Sequence, residues 1–325
     1  MIVFAARACS ILYGLLRGEE RPFLIPANVC PTVPVTFLEA RRKFELVDIA
    51  SPTLEMDPED CLDRLRREPG RFGGILFVRP YGSERDVDPF FQQLKKLQPD
   101  LLVVDDKCLC RPDCDSAGIS PWADATLFST GKRKHVDLGY GGFAHTREGA
   151  PCLSGPSAPY RGAALDEVTR RYEKAIAEKS PFQGTSEGWL DLRPPRVSWE
   201  EHRRRTVEEL LRADEHKRRL NAIYAATLPR EIQMAPEFQA WRFNIRVPAP
   251  EKLVERLFAE GLFASRHYAA LGGIFSEEDR FPQAERLHRE IINLFNDRYF
   301  GEEQAERAVR LVLEHLAERE TRGLP

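Results

Sequence analysis

Short apolar runs alternate with amphipathic, helix-like segments through the first half of the chain, and this alternation limits the possible folds more than any other feature. The strand-like runs cover residues 22–26, 44–49, 74–78 and 101–104. The helix-like segments cover residues 8–16, 35–43, 57–67 and 88–97, and the last two open with an Asp-Pro pair, a helix cap followed by proline in the first turn. Strands and helices in this order predict an α/β fold, with a mostly parallel sheet covered by helices on both faces.

Polar and glycine-rich segments follow two of the strand patterns. The 101–104 run ends in Asp106, and a strand-like segment at 123–128 leads into the sequence Ser-Thr-Gly-Lys-Arg-Lys at 129–134, with a glycine cluster soon after. Ligands of parallel sheets bind at the carboxyl ends of the strands. A lysine and a carboxylate on neighbouring strand-end loops can hold pyridoxal phosphate (PLP), because the lysine forms a Schiff base and the carboxylate keeps the pyridine nitrogen protonated.

Composition narrows the classes of partner and compartment. Of the 325 residues, 42% are hydrophobic and 30% are charged, which is typical of a globular chain with a large core. The formal net charge of −3 gives no basic field, so neither nucleic acid nor membrane is expected as a partner. Seven scattered cysteines, an odd number, argue against a disulfide framework and for a reducing, cytoplasmic location.

The second half of the chain has a different organisation. Residues 149–162 are rich in proline, serine, glycine and alanine and are predicted to form a loop or boundary. Long, charged helical patterns follow at 165–179 and 199–228. A second α/β unit consists of a strand at 241–247 and helices at 250–260, 283–295 and 302–318.

These shifts in pattern predict three parts. Residues 1–163 form the core of a large α/β domain that binds the cofactor. Residues 164–234 form a helical connection. Residues 235–325 form a small C-terminal α/β domain.

Eight short motifs are spread over nearly the whole chain. They are Ala6-Arg7-Ala8, residues 25–31, Arg79-Pro80-Tyr81-Gly82, Val104-Asp105-Asp106, residues 128–142, His267-Tyr268, residues 281–285 and residues 292–295. In this order they resemble the motifs of the DegT/DnrJ/EryC1/StrS family, the sugar-aminotransferase-like enzymes. The resemblance implies the fold of the fold-type-I PLP-dependent transferases, with a smaller C-terminal α/β lobe.

The resemblance also implies roles for individual residues. Lys134 is implied to be the catalytic lysine that forms the Schiff base with PLP, and Asp106 to be the partner of the pyridine nitrogen. The family places its reactive lysine six residues after the phenylalanine of a Phe-Ser pair, here Phe128, which selects Lys134 over Lys132.

Other residues are implied to bind the cofactor phosphate or the substrate. Ser129 would donate its hydroxyl to the phosphate, and the backbone around Ala6, Arg7 and Ala8, at the start of a helix, would complete the phosphate site. The candidate substrate-binding residues are Tyr81, Arg242, His267 and Tyr268. No metal site is expected.

The activity implied is that of a PLP-dependent aminotransferase acting on a keto group of a sugar, cyclitol or natural-product substrate, in a homodimer. Two alternatives remain open: PLP-dependent elimination or dehydration, and a non-catalytic homologue of the fold.

Single residues of the candidate site also have interpretations that involve no function. Lys134 could be an ordinary surface lysine, and Asp106 could cap the turn that follows it. Arg242 and Arg246 could both face solvent on one strand.

The cysteines at 108, 110 and 114 raise the question of a metal site. Structural zinc sites need four ligands in separated pairs, and no second pair of cysteine or histidine lies nearby in the sequence. Small, buried thiols are therefore the favoured interpretation.

Overall fold

The computed structural model describes residues 1–147, 159–278 and 280–321. Within these residues the chain forms ten strands and nine α-helices. The strands are β1 Ile2–Ala5, β2 Phe23–Pro26, β3 Phe44–Val47, β4 Gly74–Val78, β5 Leu102–Asp106, β6 Ala125–Ser129, β7 Gly142–Thr146, β8 Phe243–Arg246, β9 Ala264–Ser265 and β10 Ile291–Leu294. The helices are α1 Ala8–Arg17, α2 Thr32–Glu39, α3 Pro58–Arg67, α4 Asp88–Leu97, α5 Gly162–Glu178, α6 Trp199–Thr227, α7 Pro250–Ala259, α8 Pro282–Glu290 and α9 Glu302–Thr321.

A seven-stranded sheet forms the larger part of the molecule, in the order β1-β7-β6-β5-β4-β2-β3. The five strands from β6 to β3 are parallel, whereas β7 runs antiparallel to both of its neighbours. The predicted α/β class with a mostly parallel sheet is therefore confirmed. The antiparallel edge made by β1 and β7 was not predicted.

Both faces of the sheet are buried. Ile75 and Phe77 of β4 pack with Leu65 of α3 on one face, while Leu76 between them packs with Leu12 of α1 on the other. Successive side chains of a strand point to opposite faces, so a continuous apolar run such as β4 needs a helix layer on each side. This is the layered arrangement that the alternating sequence pattern predicts.

Helix ends follow local chemistry where the sequence offers it. Asp57 caps α3, because its carboxylate accepts hydrogen bonds from the backbone N–H groups of Glu59 at 2.9 Å and Asp60 at 3.4 Å, with Pro58 in the first turn. The start of α1 differs, since Arg7 precedes it in an extended conformation and its side chain makes no cap hydrogen bond. The first amides of α1 are thus left to another acceptor.

A small sheet with the order β8-β10-β9, entirely antiparallel, forms the C-terminal lobe. Its core combines residues of β8, β10, α7 and α9 with the last turns of α6, where Leu220 and Tyr224 are buried. The predicted domain boundaries at 163/164 and 234/235 stay predictions.

Two predicted segments differ from the structure. The helix predicted over 283–295 ends at Glu290, and Ile291–Leu294 forms β10 instead, because its β-branched side chains pair with β8 in the small sheet. The predicted loop at 149–162 lies outside the described residues up to 158, and Gly162 begins α5. In the parts of the chain that the structure describes, every helix is too short or too polar to cross a lipid bilayer.

Candidate active site

A cavity of about 750 Å³ lies at the carboxyl ends of β5 and β6, between the large sheet and the C-terminal lobe. Its walls come from the turn between β1 and α1, the loop after β6, helix α5 and the segment after β9. The predicted site residues that line it are Ala6, Arg7, Ala8, Asp106, Ser129, Lys134, Arg242, His267 and Tyr268. Predicted site residues that are up to 262 positions apart (Ala6 to Tyr268) therefore line one cavity.

Of the two adjacent acids at the end of β5, Asp106 lines the cavity and Asp105 faces away from it. The carboxylate of Asp105 is fully buried and forms a two-point ion pair with Arg79, at 2.7 Å and 2.9 Å. Asp106 Oδ1 accepts a hydrogen bond from the backbone N–H of Cys108 at 2.9 Å. Burial raises the pKa of Asp106, and the positive charge of Lys134 acts in the opposite direction, which shows that the two groups are within electrostatic reach.

The loop that carries Lys134 is held in shape by hydrogen bonds to its own residues. The carboxylate of Asp137 accepts the backbone N–H groups of Arg133 and Gly139, each at 2.9 Å. The hydroxyl of Thr130 donates to the carbonyl of Tyr140 at 2.7 Å and closes the other end of the loop. Lys134 is half-buried on this loop, which is a constrained position for a long side chain.

The turn between β1 and α1 lies beside Ser129 because of strand register. Gly142 of β7 pairs with Ser129 on one side and with Ala5 at the end of β1 on the other. A Cβ atom at Gly142 would lie 2.2 Å from the backbone nitrogen of Ala8, so only glycine allows this approach. The uncapped start of α1 and the hydroxyl of Ser129 are thus brought to the same end of the cavity, as in anion sites at helix N-termini.

Arg7 adds a positive charge at this end of the cavity. Its guanidinium donates to the hydroxyl of Tyr160 at 3.4 Å, and both residues line the cavity. The uncapped start of a helix, a serine hydroxyl and a cation therefore converge here, which suits a phosphate or another small anion.

His267 lines the cavity from the C-terminal lobe. Its backbone N–H donates to Asn293 Oδ1 at 2.8 Å, and its carbonyl accepts the hydroxyl of Tyr81 at 2.7 Å. Burial, together with the positive charges of Arg242 and Lys134, lowers the pKa of His267 to about 3, so the ring is neutral near pH 7.

Tyr81 is the predicted site residue whose placement differs. It is only 2% exposed and lies behind the cavity wall, where its hydroxyl supports the backbone of His267. Tyr81 is therefore placed to support the wall of the cavity, and its contact with the substrate stays a prediction. Tyr268, the next residue after His267, does line the cavity, and burial raises the pKa of its phenol far above the usual range.

Several residues that line the cavity have no site role assigned from the sequence. These are chiefly Trp241, Tyr160, Arg266, His288 and the thiols of Cys9, Cys30 and Cys108. Cys108 has a free thiol. Burial and the negative charge of Asp106 raise its pKa well above the ordinary value, and the positive charge of Lys134 acts in the opposite direction. From the sequence, Cys108 is interpreted only as a small, buried thiol, and no local pattern marks Tyr160 or Trp241 as a site residue.

Solved structures with the same fold include PLP-dependent enzymes. The aminotransferase TlmJ from Streptoalloteichus hindustanus matches with a TM-score of 0.69 over 98% of this chain and 86% of its own, at 16% identity. A DegT DnrJ EryC1 StrS aminotransferase from Brucella abortus matches with a TM-score of 0.63 over 97% and 85%, at 16% identity. The GDP-4-keto-6-deoxy-D-mannose-3-dehydratase of E coli, solved with bound hydrated PLP, matches with a TM-score of 0.63 over 95% and 87%, at 14% identity.

At such identities the likeness establishes the fold. The chain has the architecture of the fold-type-I PLP-dependent enzymes, and the expectation drawn from its motifs is confirmed to that extent. No protein-family model matches the chain, and no curated protein matches its sequence.

Proposed function

We propose that this chain binds PLP in the cavity at the ends of β5 and β6 and acts as an aminotransferase on a keto group of a small molecule, a sugar, cyclitol or related compound. The observation that carries the proposal is the meeting of Lys134 and Asp106 at one cavity that is also lined by Arg7, Ser129 and the start of α1. A primary amine, a buried carboxylate and a phosphate cradle are the three features that PLP requires of a protein.

The donor groups fit the three polar parts of PLP. The phosphate suits the uncapped start of α1 together with Arg7 and Ser129, where the close approach at Gly142 leaves backbone amides at the cavity wall. The pyridine nitrogen suits Asp106, whose raised pKa reflects a carboxylate that burial has deprived of water and that a nearby cation would stabilise. The aldehyde suits the amine of Lys134.

Lys134 and Asp106 would then have different roles in the reaction. Lys134 would hold the cofactor through its nitrogen and, once released by the substrate amine, would carry a proton to and from the substrate carbon. Asp106 would keep a proton on the ring nitrogen. PLP, when bound, supplies the conjugated ring that accepts the electrons left on that carbon.

Dehydration or another elimination is the second candidate, because a dehydratase shares this fold. Both reactions would begin at Lys134 and differ in how the substrate is posed. Analysis of the product formed from a keto substrate and glutamate separates them, since an aminotransferase leaves the amino nitrogen on the product, whereas a dehydratase releases water and leaves no nitrogen on the product.

The test of the proposal is absorbance spectroscopy with two lysine variants. Wild-type protein with added PLP should give the visible band of lysine-bound cofactor, and borohydride reduction should fix PLP to the peptide that contains Lys134. Lys134→Ala should abolish both signals, while Lys132→Ala, two residues away and more exposed on the same loop, should retain them. A colourless wild-type protein that borohydride leaves unmodified would instead support the non-catalytic homologue.

A further inference from the structure

The residue that follows Lys134 is tied to helix α6. His135 is only 7% exposed, and its Nε2 lies 2.8 Å from Asp214 Oδ1, a residue of α6. Neither His135 nor Asp214 is among the described residues that line the cavity. The pair therefore holds the loop after β6 from behind, next to the lysine that is the candidate for the Schiff base.

The charge states of His135 and Asp214 give this hydrogen bond a defined direction. Burial lowers the pKa of His135, and the bond to Asp214 acts in the opposite direction, so the ring is neutral near pH 7. For Asp214, burial acts to raise the pKa, but the hydrogen bonds from His135 and Arg111 lower it, so the carboxylate is ionised. A neutral ring beside a carboxylate carries its proton on the nearer nitrogen, so Nε2–H donates to Asp214.

The second oxygen of Asp214 reaches the loop that follows Asp106. Asp214 Oδ2 accepts the Nε–H of Arg111 at 2.9 Å, and Arg111 lies five residues after Asp106 in the sequence. One carboxylate thus joins the loop after β5 to the loop after β6. Strand pairing fixes where each loop begins, whereas a bridge between the loops limits how far they move apart.

The same turn of α6 also reaches the residue before Lys134. Lys217, three residues after Asp214, is only 5% exposed and donates from Nζ to the carbonyl of Trp241 at 2.7 Å. Trp241 in turn donates Nε1–H to the carbonyl of Arg133 at 2.8 Å. Both neighbours of Lys134 in the sequence are therefore connected to one turn of one helix.

We propose that Asp214 is a positioning residue that holds the amine of Lys134 in place relative to Asp106. Its bonds to His135 and Arg111 are here named the Asp214 clamp. The role of Lys134 rests on the proposed function, whereas the clamp rests on the contacts of Asp214. A fixed backbone beneath a long side chain leaves less conformational freedom to be lost when its nitrogen bonds to a ligand.

Two ligands separate the placement of Lys134 from the general fit of the cavity. PLP bonds to the lysine, because the unprotonated amine condenses with the aldehyde and releases water. The analogue 4′-deoxypyridoxine 5′-phosphate has the same ring and phosphate but no aldehyde, so it binds without the lysine. A general loss of structure weakens both ligands alike, and a displaced Lys134 weakens only PLP.

Asp214→Ala is the first variant, and fluorescence titration gives the affinities. It should weaken PLP at least about fivefold, because a hydrogen bond to a charged group is lost, and it should weaken the analogue less than about twofold. Asp106 belongs to β5 and pairs with β6, so its place under the ring should be kept. Equal losses for the two ligands, or no loss for either, would overturn the positioning role.

Further substitutions test the route from Asp214 to Lys134. Asp214→Asn keeps an oxygen that accepts from His135 and should bind PLP with an affinity between those of the wild type and Asp214→Ala. His135→Leu removes the ring donor, and combining it with Asp214→Ala should weaken PLP no further, because both changes remove the same bond. Additive losses would show that Asp214 does not act through His135.

Glu208→Ala is the matched control. Glu208 lies on the same helix and accepts a hydrogen bond from Arg204 at 2.7 Å, and both side chains are exposed. This variant loses an acid of α6 that pairs with an arginine, as Asp214 does, and it should bind both ligands like the wild type. A loss of PLP affinity equal to that of Asp214→Ala would assign the effect to the helix and refute the clamp.

Hydrogen exchange without PLP makes the two proposals fail separately. In Asp214→Ala the backbone amides of residues 131–139 should exchange faster than in the wild type, while those of β6 should not change. A wild type that gives no visible band with PLP would remove the aminotransferase, and the exchange of the loop would still decide the clamp. A normal band together with unchanged exchange in Asp214→Ala would refute the clamp and leave the aminotransferase.

Discussion

The indole nitrogen of Trp241 donates a hydrogen bond to the backbone carbonyl of Arg133 at 2.8 Å. This bond joins the entry to β8 of the C-terminal lobe to the loop that carries Lys134, residues that are 108 positions apart in sequence. Trp241 is only 3% exposed, so the bond is protected from water. The position of Lys134 is thereby coupled to the C-terminal lobe as well as to the large sheet.

Trp241→Phe should keep most of the packing and remove this bond. The carbonyl of Arg133 would lose its partner, which costs about 1–3 kcal/mol in the free energy of unfolding if no water replaces it. With its loop less constrained, Lys134 should also bind PLP more weakly. Urea denaturation and titration of the visible PLP band measure the two effects.

Trp199→Phe is the matched control for loss of an indole. Trp199 packs on Phe4 and Phe143 at ring distances of 5.8 Å and 5.0 Å, away from the Trp241 bond. It should lose stability through packing alone and retain the wild-type affinity for PLP. If both variants weakened PLP equally, the bond to Arg133 would have no special part in placing Lys134.

Asp105 and Asp106 should respond oppositely to the same substitution. Asp105→Asn leaves Arg79 buried without its partner, so the free energy of unfolding should fall by about 3–5 kcal/mol. Asp106→Asn removes a carboxylate that burial disfavours and should change stability little, but it should abolish the half-reaction with glutamate. Guanidinium denaturation and stopped-flow absorbance measure the two effects, and the reverse pattern would mean that the wrong aspartate has been assigned to the cavity.

The sequence predicted the elements whose signals are local. Asp57 and Pro58 marked the start of α3 because capping depends on residues within one turn, and the apolar run of β4 needed only its own composition. The strand β1 is not predicted, because its four residues form a strand only by pairing with β7, about 140 positions later in the sequence. Residues 291–294 were assigned to a helix for the same reason, since their partner is β8.

The site was predictable where a motif specified both residue type and spacing. Lys134, Asp106 and Ser129 fall in that group, and all three line the cavity. The ion pair of Asp105 with Arg79 is different, because it joins residues of two neighbouring strands and no local pattern contains it. The same holds for Tyr81, whose hydroxyl turned towards a backbone carbonyl 186 positions away.

His202 should make stability fall in mild acid. Burial, together with the positive charge of Arg205, lowers its pKa to about 4, whereas a histidine in the unfolded chain has a pKa of about 6.5. The unfolded state therefore binds more protons between these limits. Stability is complete above about pH 6.5 and is lost as the pH falls towards 4, by about 1–2 kcal/mol at pH 5.

His202→Gln isolates this effect. At pH 7 the change in its free energy of unfolding reflects only the lost contacts of His202, which include Thr130 Oγ1 at 3.1 Å and the stacked ring of Phe4. Between pH 7 and pH 5 its free energy of unfolding should fall less than that of the wild type, by about 1–2 kcal/mol. Parallel pH profiles for the two proteins would show that His202 titrates normally in the folded state.

Gly142→Ala should disturb the anion end of the cavity. The new Cβ would meet the backbone of Ala8 at 2.2 Å and 2.5 Å, and backbone cannot move aside as a flexible side chain does. Overpacking of this kind typically costs about 1–3 kcal/mol, and here it would push the start of α1 away from Ser129. We expect a lower free energy of unfolding. In fluorescence titrations, the substitution should weaken the binding of PLP more than it weakens the binding of pyridoxal, which lacks the phosphate.

Gly18→Ala is the matched control, because its Cβ would meet only the carbonyl of Leu15 at an ordinary 3.6 Å and its φ of −83° suits alanine. It should leave stability unchanged or raise it slightly, since alanine reduces the freedom of the unfolded chain. The comparison of PLP with pyridoxal matters most, because a general loss of stability would weaken both ligands alike. Only a displaced α1 start should remove the advantage that the phosphate confers, and an unchanged ratio of the two affinities would place the phosphate elsewhere in the cavity.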